Sequence, residues 1–144
     1  MKDIITRIRN ELEIGLNDFD SVERTVVSVY LFGSSVTPGV VEKQSDLDLA
    51  FLLDDAAYGA DPVAAVAPAY LAATNLGISL DIETDVTILN AASLEIAYEV
   101  VTTGKCLLDN SPDKRMDYEI AMRGMYFDFK PFLEKLRDGC INNL

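Results

Sequence analysis

Asp46 and Asp48 stand two residues apart, separated by an eleven-residue spacer from the pair Gly33-Ser34, in the string GSSVTPGVVEKQSDLDL. In an extended strand, side chains at i and i+2 project from one face, about 7 Å apart along it. The two carboxylates therefore share an edge, while Leu47 and Leu49 turn towards the interior. Neither aspartate has a basic residue next to it in the chain, and two facing carboxylates repel unless a divalent cation lies between them. Magnesium suits such a pair, because it is held by one or two carboxylates together with substrate phosphates. Two such ions, about 4 Å apart, would activate an attacking oxygen and stabilise a leaving pyrophosphate. The chemistry indicated is phosphoryl-type transfer.

Gly33 and Ser34 belong to the same reading. A glycine lets the main chain turn sharply and approach an anion, so backbone N–H groups and the Ser34 hydroxyl can hold phosphate oxygens. A third carboxylate is wanted to complete the cage and take the proton of the nucleophile. The segment 80–89 supplies one, since Asp81, Glu83, Asp85 and Thr87 alternate with Ile82, Val86 and Ile88 in the period-2 pattern of a half-buried strand. Asp85 is the choice, with Asp81 and Glu83 sharing its face and able to exchange roles with it. A lone Asp-x-Asp is usually a solvated strand end, and a lone Gly-Ser means nothing. Their order carries the weight: a buried strand, Gly-Ser, a polar turn, Asp-x-Asp opening a strand, then an acidic third strand.

The elements that must position these residues are legible from periodicity. Ile4, Ile8, Leu12 and Leu16 step by four through residues 3–16, predicting an amphipathic helix. Residues 25–32, TVVSVYLF, are β-branched and aromatic and read as a buried strand ending at Gly33. A polar stretch with a Pro38-Gly39 turn signal leads to a second strand over 47–53. Asp61-Pro62 reads as an N-cap and first-turn proline opening an Ala-rich helix to Asn75, kinked at Pro68, with Gly77 just past its end. A helix over roughly 92–103 stops at Gly104, Cys106-Leu107-Leu108 forms an edge strand, and a long helix over about 113–138 closes the chain, interrupted by Pro131. Its Met and aromatic stripe reads first as core packing. The fold class is α/β of the α+β kind: a small mixed sheet packed with helices, in one domain over residues 1–144.

Composition narrows the function. The chain has 144 residues, 49% hydrophobic and 25% charged, enough to bury a real core. Its net charge of −12 repels DNA and anionic membrane surfaces alike. The absence of histidine removes Ser-His-Asp and Cys-His nucleophiles and His-liganded zinc. Cys106 and Cys140 show no paired spacing, and the opening MKDIITRIRNELEIG has no continuous apolar core, so a reducing cytoplasm is expected. No run of about 18 uninterrupted apolar residues predicts a membrane span.

The residues resemble the minimal nucleotidyltransferase family of the polymerase-beta superfamily, whose signature is Gly-Ser, a spacer of about ten residues, then Asp-x-Asp. The resemblance covers nearly the whole chain, since DVTILNAASLEIAYEVVTTGKCLLD (85–109) and DYEIAMRGMYFDFKPFLEKL (117–136) are also similar to the family. By that resemblance Asp46 and Asp48 would ligate magnesium, Asp85 would complete the triad, and Gly33 with Ser34 would contact the triphosphate of ATP. Family members often carry Arg-x-Arg-Gly after Gly-Ser, where this chain has Ser35-Val36-Thr37-Pro38-Gly39. Lys43 would then substitute as the cation for the phosphates. The resemblance further implies an antitoxin that transfers AMP to a tyrosine hydroxyl of a HEPN-domain ribonuclease toxin and assembles with it as a hetero-oligomer. Two alternatives stand beside this one: transfer to an aminoglycoside-like small molecule with the same metal site, for which 144 residues leave little room, and neutralisation of a toxin by contact alone, through acidic charge and the aromatic face of the final helix.

Overall fold

The computed structural model describes residues 2–19, 24–33 and 46–142. Helix α1 (Lys2–Phe19) buries Ile8, Leu12 and Leu16, the stripe that its i+4 spacing predicts, with Ile5 beside them. Strands β1 (Val26–Phe32) and β2 (Leu47–Leu53) pair antiparallel. They are the two inner strands of a mixed sheet ordered β3-β2-β1-β4. β3 (Thr84–Ile88) runs parallel to β2 at one edge, and β4 (Lys105–Asp109) runs antiparallel to β1 at the other. Being inner strands with both faces covered, β1 and β2 are apolar almost throughout rather than alternating.

Alternate residues of β2 enter two different cores. Leu47, Leu49, Phe51 and Leu53 join α1 and α3 (Pro62–Leu80) on one face. Ala50 and Leu52 join Val27, Tyr30, Leu89 and Val100 on the other, beneath α4 (Leu94–Thr103) and α5 (Pro112–Asn142). Each large side chain so buried contributes about 1.5–3 kcal/mol. On the second face a polar network fixes α5. The Tyr30 hydroxyl donates to Glu119 at 2.6 Å, and Arg115 donates to Glu119 at 2.9 Å and to Asp109 at 2.8 Å. Burial, and then the Glu119 carboxylate, raise the Tyr30 phenol well above its ordinary range. Farther along, Tyr98 of α4 stacks on Tyr126 with ring centroids 3.7 Å apart, and Arg137 reaches Glu95 at 3.1 Å.

The structure corrects several boundaries. The Ala-rich helix does not stop at Asn75 but runs through Pro68 and Gly77 to Leu80, where Asp81 adopts a left-handed conformation with φ 52° as its cap. Gly77 serves another purpose: a Cβ there would meet the Ile82 carbonyl oxygen at 2.7 Å, so the glycine lets the chain double back towards β3. In consequence β3 begins at Thr84 rather than 80, and Asp81 and Glu83 lie outside it. A short helix α2 (Asp55–Ala60), capped by the Asp54 carboxylate on the Ala57 N–H, fills a stretch for which the periodicity gives no element. A 3-10 turn at Leu89–Ala91 precedes α4, and the α5 helix continues through Pro131 to Asn142. One proline costs a long helix a single main-chain bond and need not end it. By length and composition α3 could cross a membrane, yet its Ala65, Ala69, Ala72, Ala73 and Leu76 stripe is packed into the protein core.

Candidate active site

The carboxylates meet where three strand ends come together. β1 finishes at Phe32 and the chain turns at Gly33, β2 starts at Leu47, and β3 starts beside it at Thr84. Asp48 of β2 is paired with Phe32 on one side and with Asp85 on the other. Paired residues on neighbouring strands point to the same face, with about 4.8 Å between strands. Asp48 and Asp85 are therefore adjacent on one face, and Asp46, two residues earlier, precedes Asp48 along the same line. A hydrogen bond of 2.9 Å from the Leu47 N–H to the Glu83 carbonyl anchors this end of β2 to β3. Asp46 and Asp85 are exposed, and Asp48 is half-buried between them.

Gly33 is bound to this arrangement on two counts. Its φ of +66° is a left-handed conformation that disfavours a side chain. In addition, a Cβ placed on it would lie 2.8 Å from Asp48 Oδ2, so the carboxylate rests directly against the Gly33 main chain. Burial, and then the charges of Asp85, Asp46 and Glu99 in that order, lift the Asp48 carboxyl above its ordinary value. Four carboxylates thus share one field. Glu99, on α4, is a member that sequence reasoning did not find. At Gly104, just past α4, a Cβ would lie 3.3 Å from the Leu31 carbonyl oxygen of β1 and 2.5 Å from that of Val100 in its own helix.

Of the sequence-predicted residues, Asp46, Asp48, Asp85 and Gly33 come together. Asp81 caps α3 and Glu83 precedes β3, so the in-register partner of Asp48 is Asp85 and neither of the other two. Ser34 and Lys43 lie outside the described residues. Among the described residues, no three His, Cys, Asp or Glu side chains stand close enough to enclose a metal ion unaided. The donors are nonetheless all hard oxygens, and magnesium needs only one or two of them when phosphate oxygens and water complete its shell. In its chemistry the set fits an ion whose shell is completed by phosphate oxygens. Among the described residues, an apolar cavity of about 570 Å³, lined in part by Leu53, Asn90, Tyr118 and Met122, opens at the other end of β2. That places it about 16 Å along the strand from Asp48.

Residues 16–113 match the family model described as polymerase beta, nucleotidyltransferase. The chain belongs to this nucleotidyltransferase family. The matched span holds all of β1, the Gly33 turn, β2, β3 and α4, and so every carboxylate just described. Among solved structures, a chain of a toxin-antitoxin complex with AMP-PNP is similar to this nucleotidyltransferase at TM-score 0.67 and 24% identity, covering 92% of this chain and 98% of that one. A chain of the MntA-HepT toxin-antitoxin complex gives TM-score 0.63 and 22% identity, covering 93% and 97%. A third, from a tri-AMPylated Shewanella oneidensis HEPN toxin in complex with an MNT antitoxin, gives 0.57 and 22%, covering 90% and 98%. At such identities the likeness establishes the fold over nearly the full length. No curated protein sequence matches the chain.

Proposed function

We propose that this nucleotidyltransferase is an antitoxin that transfers AMP from ATP to a tyrosine hydroxyl of a cognate HEPN ribonuclease toxin, in a magnesium-dependent reaction within the cytoplasm. The observation that carries the reading is the in-register pairing of Asp48 with Asp85 over the Gly33 turn. The toxin as partner rests on the solved complexes of the same fold, which contain AMP-PNP in one case and a tri-AMPylated HEPN toxin in another.

In the reaction, the acceptor oxygen bonds to the α-phosphorus of ATP while the bond from that phosphorus to the bridging oxygen breaks, and pyrophosphate leaves with the bond's electron pair. Asp85, exposed at the edge of the sheet, takes the proton of the acceptor hydroxyl. Gly33 lets the main chain approach the triphosphate closely, and Ser34 and Lys43 add a hydroxyl and a cation for its oxygens. Asp46 and Asp48 would hold magnesium, with Asp85 completing the triad, and the bound ion would screen the phosphate charge and the repulsion among the carboxylates. With four carboxylates in one field, a bare triphosphate is repelled. ATP binding is therefore expected to fall sharply in EDTA.

The test incubates the protein with Mg²⁺, ATP and the product of a neighbouring HEPN reading frame, and reads the toxin's mass. A gain in steps of one AMP unit on a tyrosine supports the proposal. An unmodified toxin that is still neutralised by the Asp46→Asn/Asp48→Asn double variant would replace catalysis with contact alone. Modification of an aminoglycoside with no protein partner present would move the activity to small molecules.

A further inference from the structure

Tyr118, Met122, Met125, Phe129, Phe132 and Leu136 recur along α5 at spacings of four, three, four, three and four. This is the alternation of the a and d positions of a coiled-coil heptad. The first three line the cavity at the end of β2. From Met125 onward the seam runs out into solvent, with Met125 41%, Phe129 50%, Phe132 57% and Leu136 52% exposed. The contacts that hold α5 to α4, through Tyr126 and Arg137, use another side of the helix. An apolar stripe of this length, continuous with an apolar cavity, marks an interaction surface.

Charge selects the occupant. Within α5 six Lys or Arg balance six Asp or Glu, whereas the whole chain carries −12. The helix itself therefore adds no net charge to a contact between two copies, although each chain as a whole is acidic. The heptad also sets the orientation. If two α5 helices lie antiparallel so that Phe129 of one faces Phe132 of the other, Met125 faces Leu136. Asp128, which flanks the seam, then stands opposite Lys135 of the second copy, and the two-fold axis repeats every contact. A parallel pair would instead set Asp128 near Leu133 and leave its charge unanswered.

We propose that α5 is a self-association surface, on which a second copy of this chain lays its own α5 antiparallel along residues 125–136. This is independent of the catalytic reading.

Light scattering and sedimentation of the purified full chain over a wide concentration range test it. The expected mass climbs from 15.8 kDa to twice that value. Phe129→Ser/Phe132→Ser, at sites already exposed, should keep the wild-type circular dichroism and melting temperature while remaining monomeric. Asp128→Lys alone and Lys135→Asp alone each set like charges opposite one another twice, which should weaken association roughly tenfold. Mixing those two single variants restores opposite charges at both contacts and should recover the dimer, as should the double swap in one chain. A chain that stays at 15.8 kDa throughout overturns the proposal. So does a dimer indifferent to the charge reversals, or a seam whose variants lose only the binding of a HEPN toxin to a monomer.

Discussion

Replacing Gly33 by alanine should damage stability a little and nucleotide binding a great deal, for two separable reasons. The first is conformational: at φ +66° a residue with a Cβ gives up about 1–2 kcal/mol relative to glycine. For a chain of this size that corresponds to a fall of about 3–8 °C in melting temperature. The second is spatial. The new Cβ would sit 2.8 Å from Asp48 Oδ2, closer than van der Waals contact allows, and the short aspartate side chain must swing away. Moving it is cheap for the fold but displaces a carboxylate proposed to hold the metal. Gly33→Asn separates the two effects, because asparagine tolerates the left-handed region better while carrying the same Cβ. Thermal melts with and without Mg²⁺ and ATP are the assay. Gly33→Ala should lose several degrees and most of the stabilisation by ligand, and Gly33→Asn should regain part of the first and none of the second. Were Gly33→Ala to melt with the wild type and respond fully to Mg²⁺ and ATP, the close approach of Asp48 to the turn would have no functional meaning.

Three further outcomes follow from the same structure. Asp48→Asn removes a carboxylate lifted by burial and by its acidic neighbours, so the ligand-free protein should melt no lower than wild type while AMP transfer is lost; retained transfer would contradict the site. Gly124→Ala, where a Cβ meets nothing within 4 Å in a helix interior, should stabilise the protein by about 1 kcal/mol in chemical denaturation, and a neutral or negative result would mean that the helix is not continuous there. The Lys114 ammonium at 2.7 Å, and then the Ala57 N–H, hold the Asp54 carboxyl below its ordinary value. Its contribution is thus present above the unfolded-state value near 3.8 and fades as the pH falls through the lower folded value. Lys114 is largely exposed, which keeps the pair to under about 1 kcal/mol, so Asp54→Asn should flatten the acid end of a stability-pH profile only slightly, and an unaltered profile would refute the link.

How far the fold was readable depended on what fixed each element. The Ile8, Leu12 and Leu16 stripe of α1 and the apolar run of β1 were set by burial against the rest of the protein, and burial leaves a pattern in one dimension. The end of α3 was not. Gly77 reads as a stop signal, yet it is retained for the space it leaves beside the Ile82 carbonyl, and an aspartate in a left-handed turn supplies the actual stop. Ending the helix too early made the expected β3 too long and gave Asp81 and Glu83 a strand face they do not have. Helix α2 was missed because none of its residues is buried, so it has no apolar stripe to announce it.

The site divides along the same line. Asp46 and Asp48 were legible because their spacing alone puts them on one face, and Gly33 because a strand that ends in glycine implies a turn. The choice among Asp81, Glu83 and Asp85 needed the register of β2 against β3, a property of two strands that lie over thirty residues apart in the chain; once Asp48 is seen opposite Asp85, the acidic alternation becomes a single candidate. Glu99 left no signal at all, since an exposed glutamate on an amphipathic helix is the commonest of solvated positions. Its effect on Asp48 arises from the way α4 lies over the sheet, a relation between elements that one dimension does not show. If that field is part of how the site excludes nucleotide in the absence of magnesium, Glu99→Gln should raise the affinity for ATP measured in EDTA while leaving the affinity in saturating Mg²⁺ nearly unchanged. Equal shifts in the two conditions would show that Glu99 acts on the fold and not on the charge balance around Asp48.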